Sequence, residues 1–156
     1  MTRIRPDWDE TWMAVADTVA LRSKCDSRQV GCVIVDPTNR IVSSGLNGPP
    51  KNFPNTDGQT CSSFCPRRQS GSQPLTYGLS CPSVHAEANA LMFADRRDYA
   101  GGTIYVTAAC CQDCAKLIAN SGAARLVVRV DDRDKHRDPQ ATIEFLRSCG
   151  LEVRTI

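Results

Sequence analysis

Val84-His85-Ala86-Glu87 and Cys111-Gln112-Asp113-Cys114 are two short stretches separated by a strand-forming run, Thr103-Ile104-Tyr105-Val106-Thr107. Each opens a helix. Ser83 is the expected cap of the first, which continues through Leu91, Met92 and Phe93. The second runs from Cys111 to Ser121 and stops at Gly122. Cysteines at i and i+3 share a helical face, so both sulfurs reach one point. A helix N-terminus also favours the thiolate, through its free N–H groups and dipole. One imidazole and two thiolates suit zinc. Three protein ligands leave a fourth tetrahedral position open, which marks a catalytic rather than a structural site. His85 and Glu87 stand at i and i+2 and do not share a helical face. Both fall in the first turn, so both can reach the space beyond the helix tip, and Glu87 is free to move a proton.

Outward from this centre the chain alternates strand and helix. Asp7 is a cap for a first helix, with Glu10 as capping-box partner and Trp8, Trp12, Val15 and Val19 on one face. Val30-Gly31-Cys32-Val33-Ile34-Val35 reads as a strand buried on both faces. Asp36-Pro37-Thr38-Asn39 is turn chemistry, and Arg40 to Ser44 returns as a second strand. Periodicity then disappears from Asn47 to Ser83. Leu126-Val127-Val128 is the core of a further strand. Asp138-Pro139 starts a helix that buries Ile143 and Leu146 and ends at Gly150, before a last strand from Leu151 to Thr155. The order αββαβαβαβ implies a three-layer α/β/α sandwich around a mixed five-stranded sheet. The chain reads as a single domain, 1–156, with a Cys-containing insert at about 47–83.

A length of 156 residues suffices for one core, and a net charge of +2 does not argue for a nucleic-acid surface. No apolar run reaches the roughly 18 residues of a membrane span. The N-terminal residues lack the apolar stretch of a secretory signal. Nine cysteines in such a chain are expected as metal ligands or free thiols in a reducing, cytoplasmic setting.

A histidine and carboxylate one residue apart, followed by C-x-x-C on the next helix, resemble the zinc nucleobase deaminases. Four stretches carry the closer resemblance to the deoxycytidylate (dCMP) deaminases of the cytidine deaminase superfamily. They are Arg22-Ser23-Lys24-Cys25 leading to Gln29-Val30-Gly31, Gly45-Leu46-Asn47-Gly48, His85 to Ala90, and Cys111 to Lys116. That resemblance spans about Trp8 to Val153. It implies a cytidine deaminase-like fold and zinc-dependent conversion of dCMP to dUMP and ammonia, feeding thymidylate synthesis. It also implies a homo-oligomer, commonly a hexamer, with dCTP and dTTP as effectors. The catalytic zinc falls to His85, Cys111 and Cys114, and the proton shuttle to Glu87.

By the same resemblance Asn47 contacts the nucleoside, although as a turn residue in Leu-Asn-Gly it is equally well explained. Arg22, Ser23 and Arg28 are candidates for the 5′-phosphate, because a dianion calls for guanidinium and hydroxyl donors. Ala86, between His85 and Glu87, is a further candidate substrate contact. Arg96, Arg97, Lys135 and Arg137 read as ordinary surface charge. Cys25, Cys61, Cys65 and Cys81 resemble a set that holds a second, structural zinc in such proteins; otherwise they are loop thiols. The chain departs from the family pattern at Cys110, where the family has proline, and at Leu46, where it usually has tyrosine. Two other readings compete: a deaminase of another cytosine nucleotide or nucleoside such as CMP or deoxycytidine, and a non-catalytic zinc module. Glu87 argues against the latter, which has no use for a carboxylate outside the coordination shell.

Overall fold

A computed structural model describes residues 4–71 and 80–156. The insert expected at 47–83 is therefore described except for 72–79, and the first three residues also lie outside the described set. The elements are α1 (Trp8–Ala20), β1 (Gly31–Val35), β2 (Ile41–Leu46), α2 (Cys61–Phe64), α3 (Pro66–Ser70), α4 (Ala86–Met92), α5 (Arg96–Tyr99), β3 (Thr103–Val106), α6 (Gln112–Ser121), β4 (Arg125–Val128), α7 (Pro139–Ser148) and β5 (Glu152–Thr155). A 3-10 helix, Asp132–Arg137, lies between β4 and α7.

The strands form one mixed sheet in the order β2-β1-β3-β4-β5. β1 pairs antiparallel with β2 and with β3, whereas β3, β4 and β5 run parallel. Side chains alternate between two buried layers. Cys32, Ile34, Ile104, Val106, Leu126 and Val128 pack with residues of α4, α6 and α7. Val33, Val35, Tyr105 and Val127 pack against Met13 and Ala16 of α1. Burying such aliphatic side chains contributes roughly 1.5–3 kcal/mol each. This is the expected α/β/α arrangement.

The Asp7 cap forms as a capping box with Glu10, but α1 buries a different face from the one expected. Its buried residues are Asp9, Met13, Ala16 and Ala20, while Trp8 is half exposed and stacks on Trp12. A buried carboxylate decides the rotation. Asp9 is 7% exposed and accepts from Arg125 Nη1 and Nη2 at 2.6 and 2.7 Å, from Tyr105 Oη at 2.9 Å, and from Arg154. Period alone picks the largest apolar residues and misses an aspartate that turns inward to meet three donors. Close packing on the sheet is set by small residues. A Cβ on Gly31 would lie 1.9 Å from the Ala16 carbonyl oxygen.

Asp138 caps α7 and Pro139 opens it, as expected. Ser83 does not cap α4; His85 occupies that position in extended conformation, without a side-chain cap bond. α2, α3 and α5 and the 3-10 helix are too short to show a periodic pattern. No helix among the described residues is long and apolar enough to cross a membrane.

The guanidinium of Arg125 holds the Asp9 carboxyl at about 2, below its ordinary 3.8. A carboxyl lowered on folding adds stability above its unfolded pKa and loses it as pH falls through the folded one. Asp9→Asn is expected to destabilise the protein by about 2 kcal/mol at pH 7. In urea titrations its deficit against wild type should shrink as pH falls from about 4 to about 2. A deficit independent of pH over that window would contradict a charge-based role.

Candidate active site

α4 and α6 present their N-termini to the same space. At the first, His85 lies outside the helix with φ −69° and ψ 152°, and Glu87 lies inside the first turn. The i, i+2 difficulty thus disappears, because His85 itself is extended and lies outside the helix that Ala86 opens. At the second, Cys111 is the N-cap and Cys114 sits in the first turn. The His85 Nδ1 lies 3.4 Å from the Cys111 Sγ and 3.4 Å from the Cys114 Sγ. Among the described residues these three form the one group of three or more potential ligands whose donor atoms converge within 4.8 Å. A tetrahedral zinc with ordinary Zn–N and Zn–S bonds separates such donors by ~3.6 Å. The donor set therefore fits zinc in both chemistry and spacing.

α4 is pinned where the site needs it. A Cβ on Gly45 would lie 2.3 Å from the Ala86 carbonyl oxygen, so only glycine lets β2 and α4 approach this closely. Asn89 Nδ2 donates to the Leu46 carbonyl at 2.7 Å, and Ser43 Oγ to the Ala90 carbonyl at 2.8 Å.

Electrostatics separate the roles. The Cys111 thiol is held down at about 4, chiefly by the hydrogen bond from the Cys114 thiol, with His85 assisting; Cys114, the donor, is pushed up. His85 is raised by its hydrogen bond to the Cys111 sulfur. Glu87 is 3% exposed, and burial raises its carboxyl against the opposing pull of His85. Cys110, where proline was expected, is buried beside Glu87 and Cys32, and its thiol is pushed well up by burial.

Two cavities meet at His85. One, of about 420 Å³, is lined by Glu87, Ala86 and Asn47 and by the basic residues Arg67, Arg68, Arg133 and Arg137. The other, of about 560 Å³, is lined by Cys111, Cys114 and Leu117. His136 and Arg137 line both. Of the residues expected at substrate, Ala86 and Asn47 line the first cavity. Asn47 also braces the backbone, accepting from Val30 N and donating to the Arg28 carbonyl, both at 2.8 Å. Arg22 and Ser23 do not line it. Arg22 is exposed, and Ser23 is buried with its hydroxyl bonded to the Asn47 carbonyl at 2.6 Å. Arg28 lines it but is committed to Asp131 at 3.1 Å and to Asp134.

The reading of Arg137 as surface charge is corrected. It lines the site, donates to the Ala109 carbonyl at 2.8 Å, and keeps a buried Nε with no hydrogen-bond partner among the described residues. Arg67, Arg68, Arg133 and His136 escaped the sequence reading too. Their signal was position: Arg133, His136 and Arg137 follow the carboxyl end of β4, where α/β sheets place their ligands. Lys135 and Arg97 are exposed and pair with Asp132 and Asp95. Arg96 binds the Ser121 carbonyl at 2.9 Å.

Cys25, Cys61, Cys65 and Cys81 line a small shared cavity of about 20 Å³. They stand as two thiol pairs, Cys25 with Cys61 and Cys65 with Cys81, rather than as four converged donors.

The model of the cytidine and deoxycytidylate deaminase zinc-binding region matches residues 6–130. The chain belongs to the cytidine and deoxycytidylate deaminase family. The deoxycytidylate deaminase of Mycobacterium phage D29 is 44% identical over 128 residues, covering 79% of this chain and 94% of that protein. The deoxycytidylate deaminase of Schizosaccharomyces pombe is 33% identical over 154 residues, 97% of this chain but 45% of its own length. Among solved structures, the dCMP deaminase of cyanophage S-TIM5 superposes with a TM-score of 0.70 at 25% identity, covering 98% of this chain and all of that one. The same enzyme in complex with dCMP and dUMP gives a TM-score of 0.67, covering 99% of this chain and all of that one.

Cys114→Ser removes a donor at the helix tip. Zinc affinity at this centre, measured by competition with a chelating dye, is expected to fall by more than the roughly 10–100-fold that loss of a supporting hydrogen bond costs a metal site. Unchanged affinity would place the metal elsewhere.

Proposed function

We infer that this chain hydrolyses dCMP to dUMP and ammonia. The observation that carries this is a buried carboxylate, Glu87, beside a histidine–dithiolate cluster on a cavity that basic residues also line. Zinc held by His85, Cys111 and Cys114 would lower the pKa of water toward about 7 and so supply a nucleophile at neutral pH. Glu87 takes one proton of the water to the pyrimidine ring nitrogen, where it stays in the product, and carries the second, from the hydroxyl added to the ring carbon, to the departing amine, which leaves as ammonia. Its burial supports this role, because a carboxyl raised toward neutrality both accepts and releases protons readily. Asn47 and Ala86 border the pyrimidine and sugar. The 5′-phosphate would lie against His136 and Arg137, in a cavity that Arg67, Arg68 and Arg133 also line, Arg133 being paired with Asp131 at 2.7 Å. The buried Arg137 Nε, which has no hydrogen-bond partner among the described residues, supports this, since a buried donor calls for an acceptor. We place the phosphate on these residues rather than on Arg22 and Ser23, which do not line the cavity, or on Arg28, which is bound to two carboxylates.

The two thiol pairs support a second, structural zinc at Cys25, Cys61, Cys65 and Cys81. Ordering a residue costs roughly 1–2 kcal/mol of backbone entropy, and the insert has few apolar residues to offset it. Closing both pairs on one ion ties the segment after α1 to the loop that leads into His85. Exposed Met92 and Phe93 at the end of α4 are consistent with burial in a homo-oligomer.

Glu87→Gln keeps the ligands and removes the proton shuttle. Turnover of dCMP should fall by about 10²–10⁴-fold with zinc content unchanged; wild-type ammonia release would remove Glu87 from the reaction. Elemental analysis is expected to give two zinc ions per chain in wild type and one in Cys65→Ser. One ion in both proteins would leave the four cysteines as loop thiols.

A further inference from the structure

Asp134 is wholly buried, although it lies within a basic 3-10 helix at the surface. Its carboxylate pairs with Arg28, whose own side chain is 9% exposed. It also accepts from the backbone N–H of Ala109 at 3.3 Å and of Asp131 at 3.1 Å. Arg28 in turn reaches Asp131 at 3.1 Å, and its carbonyl is held by Asn47 Nδ2. Arg137 closes the circuit by donating to the Ala109 carbonyl. The ion pair thus joins the segment before β1, whose main chain Asn47 holds, to the 3-10 helix, and the same Asp134 carboxylate takes in the Ala109 N–H.

A buried ion pair is a poor device for stability alone, because desolvation of both charges cancels much of their attraction. It is an effective device for fixing position, because neither partner can move without leaving a buried charge unpaired. The residues fixed here are Arg133, His136 and Arg137, and none of them holds the metal. We propose that the buried Arg28–Asp134 pair positions this basic wall and thereby sets the preference for a phosphorylated over an unphosphorylated cytosine nucleoside. Arg28 acts through Asp134 and not on the substrate. The inference rests on the phosphate placement proposed above.

Loss of the pair should therefore split the two substrates. Binding energy at a remote phosphate contributes to the transition state of the nucleotide only. Asp134→Asn preserves shape and removes the charge, and Arg28→Lys keeps the charge but loses the fork that reaches two carboxylates. In the zinc-loaded protein both variants should lower kcat/KM for dCMP by about tenfold or more. Their kcat/KM for deoxycytidine should stay within about twofold of wild type, and zinc content should not change. Inorganic phosphate, tested by calorimetry, should bind both variants more weakly than wild type. Equal losses on the two substrates would make the pair a structural brace and overturn the proposal, as would an unchanged preference for dCMP. If wild type does not deaminate dCMP, the functional reading fails, and the phosphate titration alone decides: weaker binding in the variants upholds the positioning role, and equal binding overturns it.

Discussion

Everything in this molecule depends on bringing one imidazole nitrogen within 3.4 Å of two sulfurs that lie 26 and 29 residues further along the chain. Three coordinated demands follow. α4 must sit close on β2, which Gly45 permits. β3 must lie between the two helix entrances, and parallel β3 and β4 must carry α6 across one face of the sheet. Each helix must begin at its ligand, so that the free N–H groups and the dipole favour thiolate over thiol. At His85 this requirement displaces ordinary capping. The position is filled by a residue that makes no cap bond, which costs the helix some stability and aims the ring into the site.

Buried charge serves different ends on the two faces of the sheet. Asp9, with Arg125, Arg154 and Tyr105, fixes how α1 is rotated on its layer, far from the chemistry. Asp134 and Arg28 sit beside the cavity and join its walls. Glu87 is the exception. Its burial outweighs the pull of His85 and Arg137, so its carboxyl moves up where that of Asp9, bonded to Arg125, moves down. Environment, not residue type, divides the proposed proton shuttle from the structural anion.

The layered fold and the metal triad were legible in the sequence because they rest on local signals: a continuous apolar run for β1, cap residues at Asp7 and Asp138, and the His-x-Glu and Cys-x-x-Cys spacings. Asn47 was legible as a site residue, but its double hydrogen bond to the Arg28 carbonyl and Val30 N–H was not, since that depends on how β2 ends beside the entry to β1. The ion pairs of Arg28 were hidden for a similar reason. Arg28 carries the right charge, yet that charge is already spent on two aspartates more than 100 residues away. Arg137 reads as surface in one dimension and becomes cavity wall only when the 3-10 helix folds back over Ala109. The rotation of α1 failed because apolar period cannot register an inward aspartate.

The most direct measurement is ammonia release by the zinc-loaded protein from dCMP, CMP, deoxycytidine and cytosine in parallel, before and after stripping the metal with a chelator. The account predicts fastest release from dCMP, loss of release on stripping, and recovery when zinc is returned. Ammonia production that survives complete removal of zinc, or none from any of the four compounds, would contradict it.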